Sequence, residues 1–373
     1  MSTETPNIVI PRDLLPRDGR FGCGPSKVRP EVVGELTGVS VSYLGTSHRQ
    51  KTVKSVVGSV RRGLAELFAL PEGWEVLIGN GGATLFWDVA TFGLIERRSQ
   101  HLSFGEFSSK FGQAAAAAPH LEDPVIVTSE PGTHPQPVPD ATVDAYCLTH
   151  NETSTGVAMR LTRPQADGLV LVDATSGAGG LRWDPSQVDV YYFSPQKCFA
   201  SDGGLWLACC SPAAVERIER LAGSRWVPAS LDLKIALDNS RLDQTYNTPA
   251  LATIFMLERQ IAWMLENGGL EWAASRSDTS AATLYGWAER TPYATPYVAE
   301  PAHRSPVVGT IDLEGVDAAM VSKILRANGV VDTEAYRKLG RNQLRIGMFP
   351  AIDPADVEAL TACVDHVAGA LAG

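Results

Sequence analysis

The chain has 373 residues, of which 44% are hydrophobic and 20% are charged, and its formal net charge is −10 at pH 7. This length exceeds what one small core accommodates, so we expect a large domain with a smaller one attached. The acidic balance argues against nucleic acid as a partner, because phosphate backbones favour basic surfaces, but a few arginines can still form a local site for a small anion.

The N-terminal segment and the cysteines indicate the compartment. Residues 1–20 are polar and contain proline, so we predict an extended arm without the apolar core of a signal peptide. No stretch approaches the roughly 18 consecutive apolar residues that span a bilayer. The six cysteines form no CxxC pair and no disulfide-dense spacing. We therefore expect a cytoplasmic protein without membrane contact, and we predict no metal site.

From residue 75 the chain alternates between short apolar runs and segments of helical length. EVLIG (75–79) is the first predicted strand, and ATLFWDVATFGL (83–94) is the helix after it. The later strands are continuous apolar runs, typical of a sheet covered on both faces. They are HLSF (101–104), PVIVT (124–128), DAYCLTH (144–150), GLVLVD (168–173) and VDVYYFS (188–194). This alternation predicts an α/β fold with a mostly parallel sheet and right-handed crossovers.

A long helix with apolar periodicity is predicted from Thr248 to about Asn267, where two glycines stop it. Beyond it the order of elements changes to a helix (270–290), a strand (306–312), a helix (315–328), two strands ending with QLRIGMF (343–349), and a last helix from Pro354. We therefore predict a large domain over residues 21–267 and a small α+β domain over residues 268–373.

Chemically capable residues follow the predicted strands. In open α/β sheets, ligands bind beyond the carboxyl ends of the strands. The turn 79–82 opens a helix at Ala83 and Thr84, and free N–H groups at a helix start bind anions. Asp173 ends one strand, and Lys197 follows another 24 positions later. These positions predict a ligand site at one edge of the sheet.

Most of these features also have an ordinary structural explanation. A glycine-rich turn is usually only a turn, Asp173 could cap a helix, and Phe107 could belong to the core. Lys197 is different, because it lies between an apolar strand and the segment CFASDGG and should be partly enclosed. Burial lowers the pKa of a lysine, and a neutral amine condenses with an aldehyde. If that aldehyde belongs to a cofactor with a pyridine ring, a carboxylate such as Asp173 would keep the ring nitrogen protonated.

The combination of Asp173 with the segment SPQK (194–197) resembles the pyridoxal 5'-phosphate site of fold-type-I aminotransferases of the serine branch. Further segments resemble the phosphoserine aminotransferase family, and its actinobacterial branch most of all. They are GPSKVRP (24–30), SHRQ (47–50), HNETSTG (150–156), YNTP (246–249) and Arg345 within LRIGMFP. The resemblance covers nearly the whole chain and implies a large domain with a seven-stranded sheet, a smaller C-terminal domain and a homodimer.

By that resemblance, Lys197 holds the cofactor aldehyde and moves the substrate proton, while Asp173 pairs with the ring nitrogen. Phe107 stacks on the ring, where some relatives have tryptophan. Arg345 binds the substrate α-carboxylate, as an arginine fork suits a carboxylate. The remaining cofactor contacts implied are Thr153 with the ring hydroxyl, Ala83, Thr84 and Gln196 with the phosphate, and Asn247 and Thr248 reaching that phosphate from a second subunit.

The resemblance assigns the distal phosphate or γ-carboxylate of the substrate to His48 and Arg49, which alone would pass for a solvated loop pair. The family also tends to carry a His-Arg pair shortly before its carboxylate-binding arginine. Here the segment 336–341 reads YRKLGR and contains no histidine. Arg337, Lys338 or Arg341 could supply the charge there.

The implied reaction is ping-pong transfer of an amino group from glutamate to 3-phosphohydroxypyruvate, giving O-phosphoserine and 2-oxoglutarate for L-serine biosynthesis. A side activity in pyridoxine biosynthesis is also compatible. The alternatives are an aminotransferase of the alanine–glyoxylate or serine–pyruvate type and a non-catalytic protein with the same fold. Cysteine desulfurase chemistry fits less well, because Cys198 lies in the turn after a strand and is better explained as a packed thiol.

Overall fold

The computed structural model describes residues 6–372, which form ten α-helices and twelve strands. The helices are α1 (Pro30–Tyr43), α2 (Lys51–Leu67), α3 (Ala83–Gly93), α4 (Glu106–Ala117), α5 (Pro212–Ala222), α6 (Leu233–Arg241), α7 (Leu251–Glu266), α8 (Gly269–Arg290), α9 (Ala318–Ala327) and α10 (Pro354–Ala372). The strands are β1 (Glu75–Asn80), β2 (Ser99–Ser103), β3 (Val125–Thr128), β4 (Ala145–Thr149), β5 (Asn151–Glu152), β6 (Val157–Ala158), β7 (Leu169–Asp173), β8 (Val190–Phe193), β9 (Leu205–Cys210), β10 (Ala294–Pro296), β11 (Val308–Leu313) and β12 (Gln343–Gly347).

Seven strands form the central sheet in the order β1-β9-β8-β7-β4-β2-β3. The five strands from β8 to β3 are parallel, whereas β9 runs antiparallel to both of its neighbours. The prediction of a mostly parallel sheet is confirmed, although β9 and its reversed direction were not predicted. Asp173 pairs with Thr149 on one side and with Tyr192 on the other. The carboxyl ends of β4, β7 and β8 therefore lie side by side.

Both faces of this sheet are covered, which explains the continuous apolar runs. Along β7, Val170 and Val172 pack in one core cluster, whereas Leu169 and Leu171 pack in a second cluster on the opposite face. Successive side chains of a strand point to opposite faces, so a strand buried on both sides carries apolar residues on each face. In β7 the one polar residue is Asp173 at its carboxyl end. All five residues of β7 are accordingly buried.

Two predicted helix starts lie too early in the sequence. Helix α7 begins at Leu251 and not at Thr248, because the proline at 249 disfavours helical backbone in the residue before it. Helix α9 begins at Ala318 and not at 315, since the Asp317 side chain caps it by accepting hydrogen bonds from the N–H groups of residues 319 and 320. Helices α1, α2, α5 and α6 were not predicted. None of the helices in residues 6–372 has the length and apolar character that crossing a membrane requires.

A second core lies in the C-terminal part of the chain, where α8, α9 and α10 pack around the three-stranded sheet β10-β11-β12. The described part of the predicted arm joins this core, since Ile10 is buried in it. Phe21, the first residue after the predicted arm, is buried in the same core. The Asn328 side chain accepts a hydrogen bond from the Ile10 N–H (3.0 Å) and donates one to the Ile8 carbonyl (2.9 Å). Residues 1–5 of the predicted arm lie outside the described residues. We propose that the small domain comprises residues 6–21 as well as 268–372.

Asn328→Ala should release the N-terminal segment from the small domain. The substitution leaves the Ile10 N–H and the Ile8 carbonyl without their partner, at a cost of about 1–3 kcal/mol in the free energy of unfolding. Urea unfolding and trypsin cleavage at Arg12 measure the two effects. Asn267→Ala is the matched control, because that exposed side chain makes a single local hydrogen bond within α7. Equal stability and equal cleavage in the two variants would contradict the role assigned to Asn328.

Candidate active site

A cavity of about 340 Å³ lies beyond the carboxyl ends of β4, β7 and β8. It brings together seven of the predicted site residues, from two helix starts, one strand end and two loops. They are Ala83, Thr84, Phe107, Thr153, Asp173, Gln196 and Lys197. The cavity is also lined by residues that the sequence analysis missed, among them Gly24, Trp87 and Ser176.

Lys197 is buried at the floor of this cavity, where 7% of the residue is exposed. Its Nζ donates a hydrogen bond to the Cys23 carbonyl at 2.5 Å. Burial lowers the pKa of the lysine to about 8, because the charged form loses its hydration. The backbone at Gly24 passes so close that an added Cβ would lie 2.3 Å from Nζ. Glycine at 24 thus makes room for the amine.

Asp173 is buried at the end of β7 and is held by three donors. Its Oδ2 accepts a hydrogen bond from Trp87 Nε1 (3.0 Å), and its Oδ1 accepts from the Thr175 N–H (3.0 Å) and hydroxyl (2.6 Å). Burial raises the pKa of this carboxyl, and the hydrogen bonds oppose that shift. A cation placed beside it would restore the charged form. Trp87 follows Ala83 by four positions, so it lies one turn further along the same face of α3.

The cavity has an aromatic wall and a hydroxyl. The Phe107 ring, in the first turn of α4, has its centroid 5.9 Å from Lys197 Nζ. The Thr153 hydroxyl donates to Ser176 Oγ at 2.8 Å. The amine, the ring and the hydroxyl therefore surround one space, as a flat aromatic ligand requires.

One end of the cavity is suited to an anion. Helix α3 begins after Gly82 without a side-chain cap, and its first residues, Ala83 and Thr84, line the cavity. The N-terminus of a helix favours negative charge through its N–H groups and its dipole. Gln196 Oε1 is buried without a protein partner. Rotation of the amide can present its NH₂ group to an anion instead.

These residues fit pyridoxal phosphate. The uncapped start of α3 and the unpaired amide of Gln196 match the phosphate, the buried carboxylate of Asp173 matches a ring nitrogen that carries a proton, and Lys197 lies between them. Phe107 supplies an apolar surface for the ring face. A buried amine with a lowered pKa beside an anion site is typical of a catalytic lysine.

Arg345 lies on β12 of the small domain and reaches toward the large one. Its Nη1 donates to the Thr153 carbonyl at 3.2 Å, and its guanidinium lies 5.2 Å from the centroid of the Tyr336 ring. Its Nε is buried without a partner. Arg345 therefore keeps a donor available for a carboxylate at the boundary of the two cores.

Besides Arg345, four predicted residues do not line this cavity in the same chain. His48 and Arg49 lie instead beside the loop that carries Asn247 and Thr248. His48 Nδ1 is 3.3 Å from the Thr248 hydroxyl, and Arg49 Nη1 donates to Gln244 Oε1 at 2.8 Å. We call His48, Arg49, Asn247 and Thr248 the loop cluster. Arg49, Asn247 and Thr248 are exposed, and burial lowers the pKa of His48.

The three candidate cations of the segment 336–341 have different surroundings. Lys338 forms an ion pair with Glu106 at the start of α4, which holds the pKa of that carboxyl below its ordinary value. Arg341 Nε donates to both oxygens of Asp312 at 3.1 Å. Arg337 is exposed. Of the three, Lys338 lines a second cavity of about 490 Å³. The lining of that cavity also includes Glu106, the residue before Phe107.

Comparison with known proteins identifies the family of the chain. A family model described as Aminotransferase class-V matches residues 139–357. The phosphoserine aminotransferase of Rhodococcus jostii (strain RHA1) is 61% identical over 373 residues, which cover 99% of this chain and 100% of that protein. A phosphoserine aminotransferase from Cytophaga hutchinsonii superposes with a TM-score of 0.87 at 25% identity, covering 93% of this chain and 99% of that one. A pyridoxal-phosphate-bound phosphoserine aminotransferase from Trichomonas vaginalis shares the fold with a TM-score of 0.79 at 20% identity, covering 94% of this chain and 100% of that one.

Condensation of Lys197 with pyridoxal phosphate should accelerate as the pH rises through about 8. The protonated amine is not a nucleophile, and burial lowers the lysine pKa from 10.5 to about 8, so the reactive neutral form increases across that range. Growth of the visible absorbance band after mixing cofactor-free protein with pyridoxal phosphate, from about pH 6 to pH 10, gives the midpoint. Lys197→Ala is the control that should give no band. A midpoint near that of an unburied lysine would contradict the assigned environment.

Proposed function

The chain belongs to the phosphoserine aminotransferase family, and from that premise we propose that it transfers an amino group between glutamate and 3-phosphohydroxypyruvate in L-serine biosynthesis. It is a pyridoxal-phosphate-dependent aminotransferase. The products of the proposed direction are O-phosphoserine and 2-oxoglutarate. The observation that carries the proposal is the single cavity in which the buried amine of Lys197, the buried carboxylate of Asp173 and the uncapped start of α3 face each other.

When bound, pyridoxal phosphate supplies an electron-withdrawing ring that accepts the electron pair left after the substrate α-proton is removed. Asp173 would stabilise the proton on the ring nitrogen, and its hydrogen bonds from Trp87 and Thr175 keep its oxygens in place. Lys197 would hold the cofactor and then accept and return the substrate α-proton at Nζ. Its lowered pKa suits both the acceptance and the return of this proton, because the protonated and neutral amine are close in free energy near pH 8.

Arg345 would orient the substrate through its α-carboxylate. The guanidinium already donates to the Thr153 carbonyl and lies against Tyr336, so its plane is restrained from two sides. A planar fork binds a carboxylate bidentately, which fixes the α-carbon relative to Lys197. The small domain thus supplies the substrate-binding cation, and the large domain supplies the lysine and the acid.

We infer that the active protein is a homodimer in which the loop cluster of one subunit completes the cavity of the other. The cluster carries two basic residues, yet it does not line the cavity of its own chain. Exposed apolar residues flank it in the sequence: Val41 and Leu44 precede it, and Leu242 and Tyr246 lie beside the 247–248 loop. Exposed apolar surface of this kind is typical of a subunit interface. His48 and Arg49 would then bind the distal phosphate or γ-carboxylate of the substrate.

Two finer assignments are part of the same proposal. We propose a cytoplasmic location, which is supported by six cysteines that are all buried and unpaired. A side activity in pyridoxine biosynthesis would need a substrate that likewise presents an α-amino acid group and a phosphate. The same Arg345 and loop-cluster contacts would bind it.

Addition of substrate to the loaded protein should distinguish a phosphoserine enzyme from its alternatives. The visible band of the bound cofactor should collapse with O-phosphoserine and scarcely change with L-serine, because only the former presents a dianion to His48 and Arg49. Absorbance titration measures both responses. Lys197→Ala should bind the cofactor without this band and should lack turnover. Lys234→Ala, at a half-buried lysine of α6 that pairs with Asp238, should match the wild type. An equal response to serine would contradict the substrate assignment and leave an aminotransferase of another type.

Mixing two inactive variants should restore activity if the site is shared between subunits. Lys197→Ala removes the amine of one chain, and an Arg49→Ala, Thr248→Ala chain lacks the loop cluster. In a mixed dimer one of the two sites is intact, so random exchange restores about a quarter of the wild-type activity. The turnover of the mixture after unfolding and refolding measures this. Activity no higher than the sum of the separate variants would place the loop cluster in its own chain's site or outside the site altogether.

A further inference from the structure

Glu152 is a fully buried carboxylate beside the cavity that has no part in the proposed reaction; 0% of the residue is exposed. Its Oε2 accepts hydrogen bonds from the Phe107 N–H (3.1 Å), the Ser108 N–H (2.9 Å) and the Ser108 hydroxyl (2.9 Å). Its Oε1 accepts from the Ser154 N–H (3.1 Å) and hydroxyl (2.7 Å). Five donors therefore converge on one side chain.

The charge of Glu152 is balanced by the first turn of α4. That helix begins after Gly105, which offers no side-chain cap, so the carboxylate of Glu152 takes the place of a cap. Negative charge is stabilised there by the helix dipole and by the N–H groups that have no partner within the helix. A Cβ added at Gly105 would lie 2.3 Å from the Glu152 side chain. Only glycine at 105 lets the carboxylate approach this closely.

The same carboxylate connects two walls of the cofactor cavity. Phe107, the aromatic wall, lies in the turn that Glu152 caps, and Thr153 lies between Glu152 and Ser154 in the chain. The Thr153 carbonyl in turn accepts the hydrogen bond from Arg345. One buried group therefore fixes the spacing between the ring-stacking surface and the loop that carries the hydroxyl.

We propose that Glu152 is a positioning residue that sets the affinity and the orientation of bound cofactor by holding Phe107 and Thr153 at a fixed separation. The inference rests on the proposed function, since it takes the cavity to be the cofactor site. Glutamine has the same shape but replaces one acceptor oxygen with a donor. Its NH₂ group would face the N–H groups of either Phe107 and Ser108 or Ser154, and buried donors without an acceptor force the two walls apart.

The test compares Glu152→Gln with the substitution of another carboxylate that accepts backbone hydrogen bonds but lies away from the cavity. Asp144 accepts hydrogen bonds from three backbone N–H groups, at residues 96, 97 and 98, at the opposite end of β4. Asp144 is half-buried and also pairs with Arg217. Asp144→Asn is the control for loss of a carboxylate that accepts several backbone hydrogen bonds. Cofactor-free proteins are titrated with pyridoxal phosphate, and the dissociation constant, the circular dichroism of the bound band and the melting temperature of the cofactor-free protein are recorded.

Glu152→Gln should raise the dissociation constant about tenfold or more and should weaken the induced circular dichroism, whereas Asp144→Asn should lower only the melting temperature. Should Glu152→Gln not fold, Ser154→Ala removes one of the five donors and should raise the constant about threefold. A dissociation constant and circular dichroism equal to the wild type, beside a lowered melting temperature, would overturn the proposal. Wild-type protein that binds no pyridoxal phosphate would instead refute the proposed function.

Discussion

The site depends on the burial of an amine and a carboxylate at the ends of adjacent parallel strands. Burial lowers the pKa of Lys197 and raises the pKa of Asp173. Each shift follows from lost hydration of the charged form. The sheet imposes this arrangement, since β7 and β8 are neighbours and are covered on both faces. The same packing that stabilises the fold therefore prepares the lysine for reaction.

Burial of these groups is tolerated because each has fixed hydrogen-bond partners. Asp173 has the Trp87 indole and the N–H and hydroxyl of Thr175, and Lys197 has the Cys23 carbonyl. Breaking such a contact leaves a buried polar group unsatisfied, which costs roughly 1–3 kcal/mol. The partners come from α3, from the N-terminal loop and from the turn after β7. Three separate parts of the chain must therefore pack correctly before the site exists.

Strand ends were the most informative feature of the sequence, since a parallel sheet brings residues that follow its strands to one edge. Strand ends predicted that Asp173 and Lys197 lie at one edge of the sheet, and the family resemblance added Thr153 and Phe107 to the same site. The partners Trp87, Cys23 and Gly24 could not be found in this way. Trp87 contacts the site from the second turn of a helix, and Cys23 acts through its backbone carbonyl, which every residue type possesses. Glu152 lies within the motif HNETSTG, but its hydrogen-bond partners are set by the folding of α4 against that loop.

The loop cluster shows a different limit of sequence reasoning. His48 and Arg49 precede α2, and Asn247 and Thr248 precede α7, and these two helices pack against each other. The pairing of α2 with α7 thus brings the two segments together, at a place that neither segment reveals alone. The exposure of Arg49, Asn247 and Thr248 is consistent with the proposed shared site, because basic and amide side chains at a subunit surface remain hydrated until a partner and an anionic substrate bind.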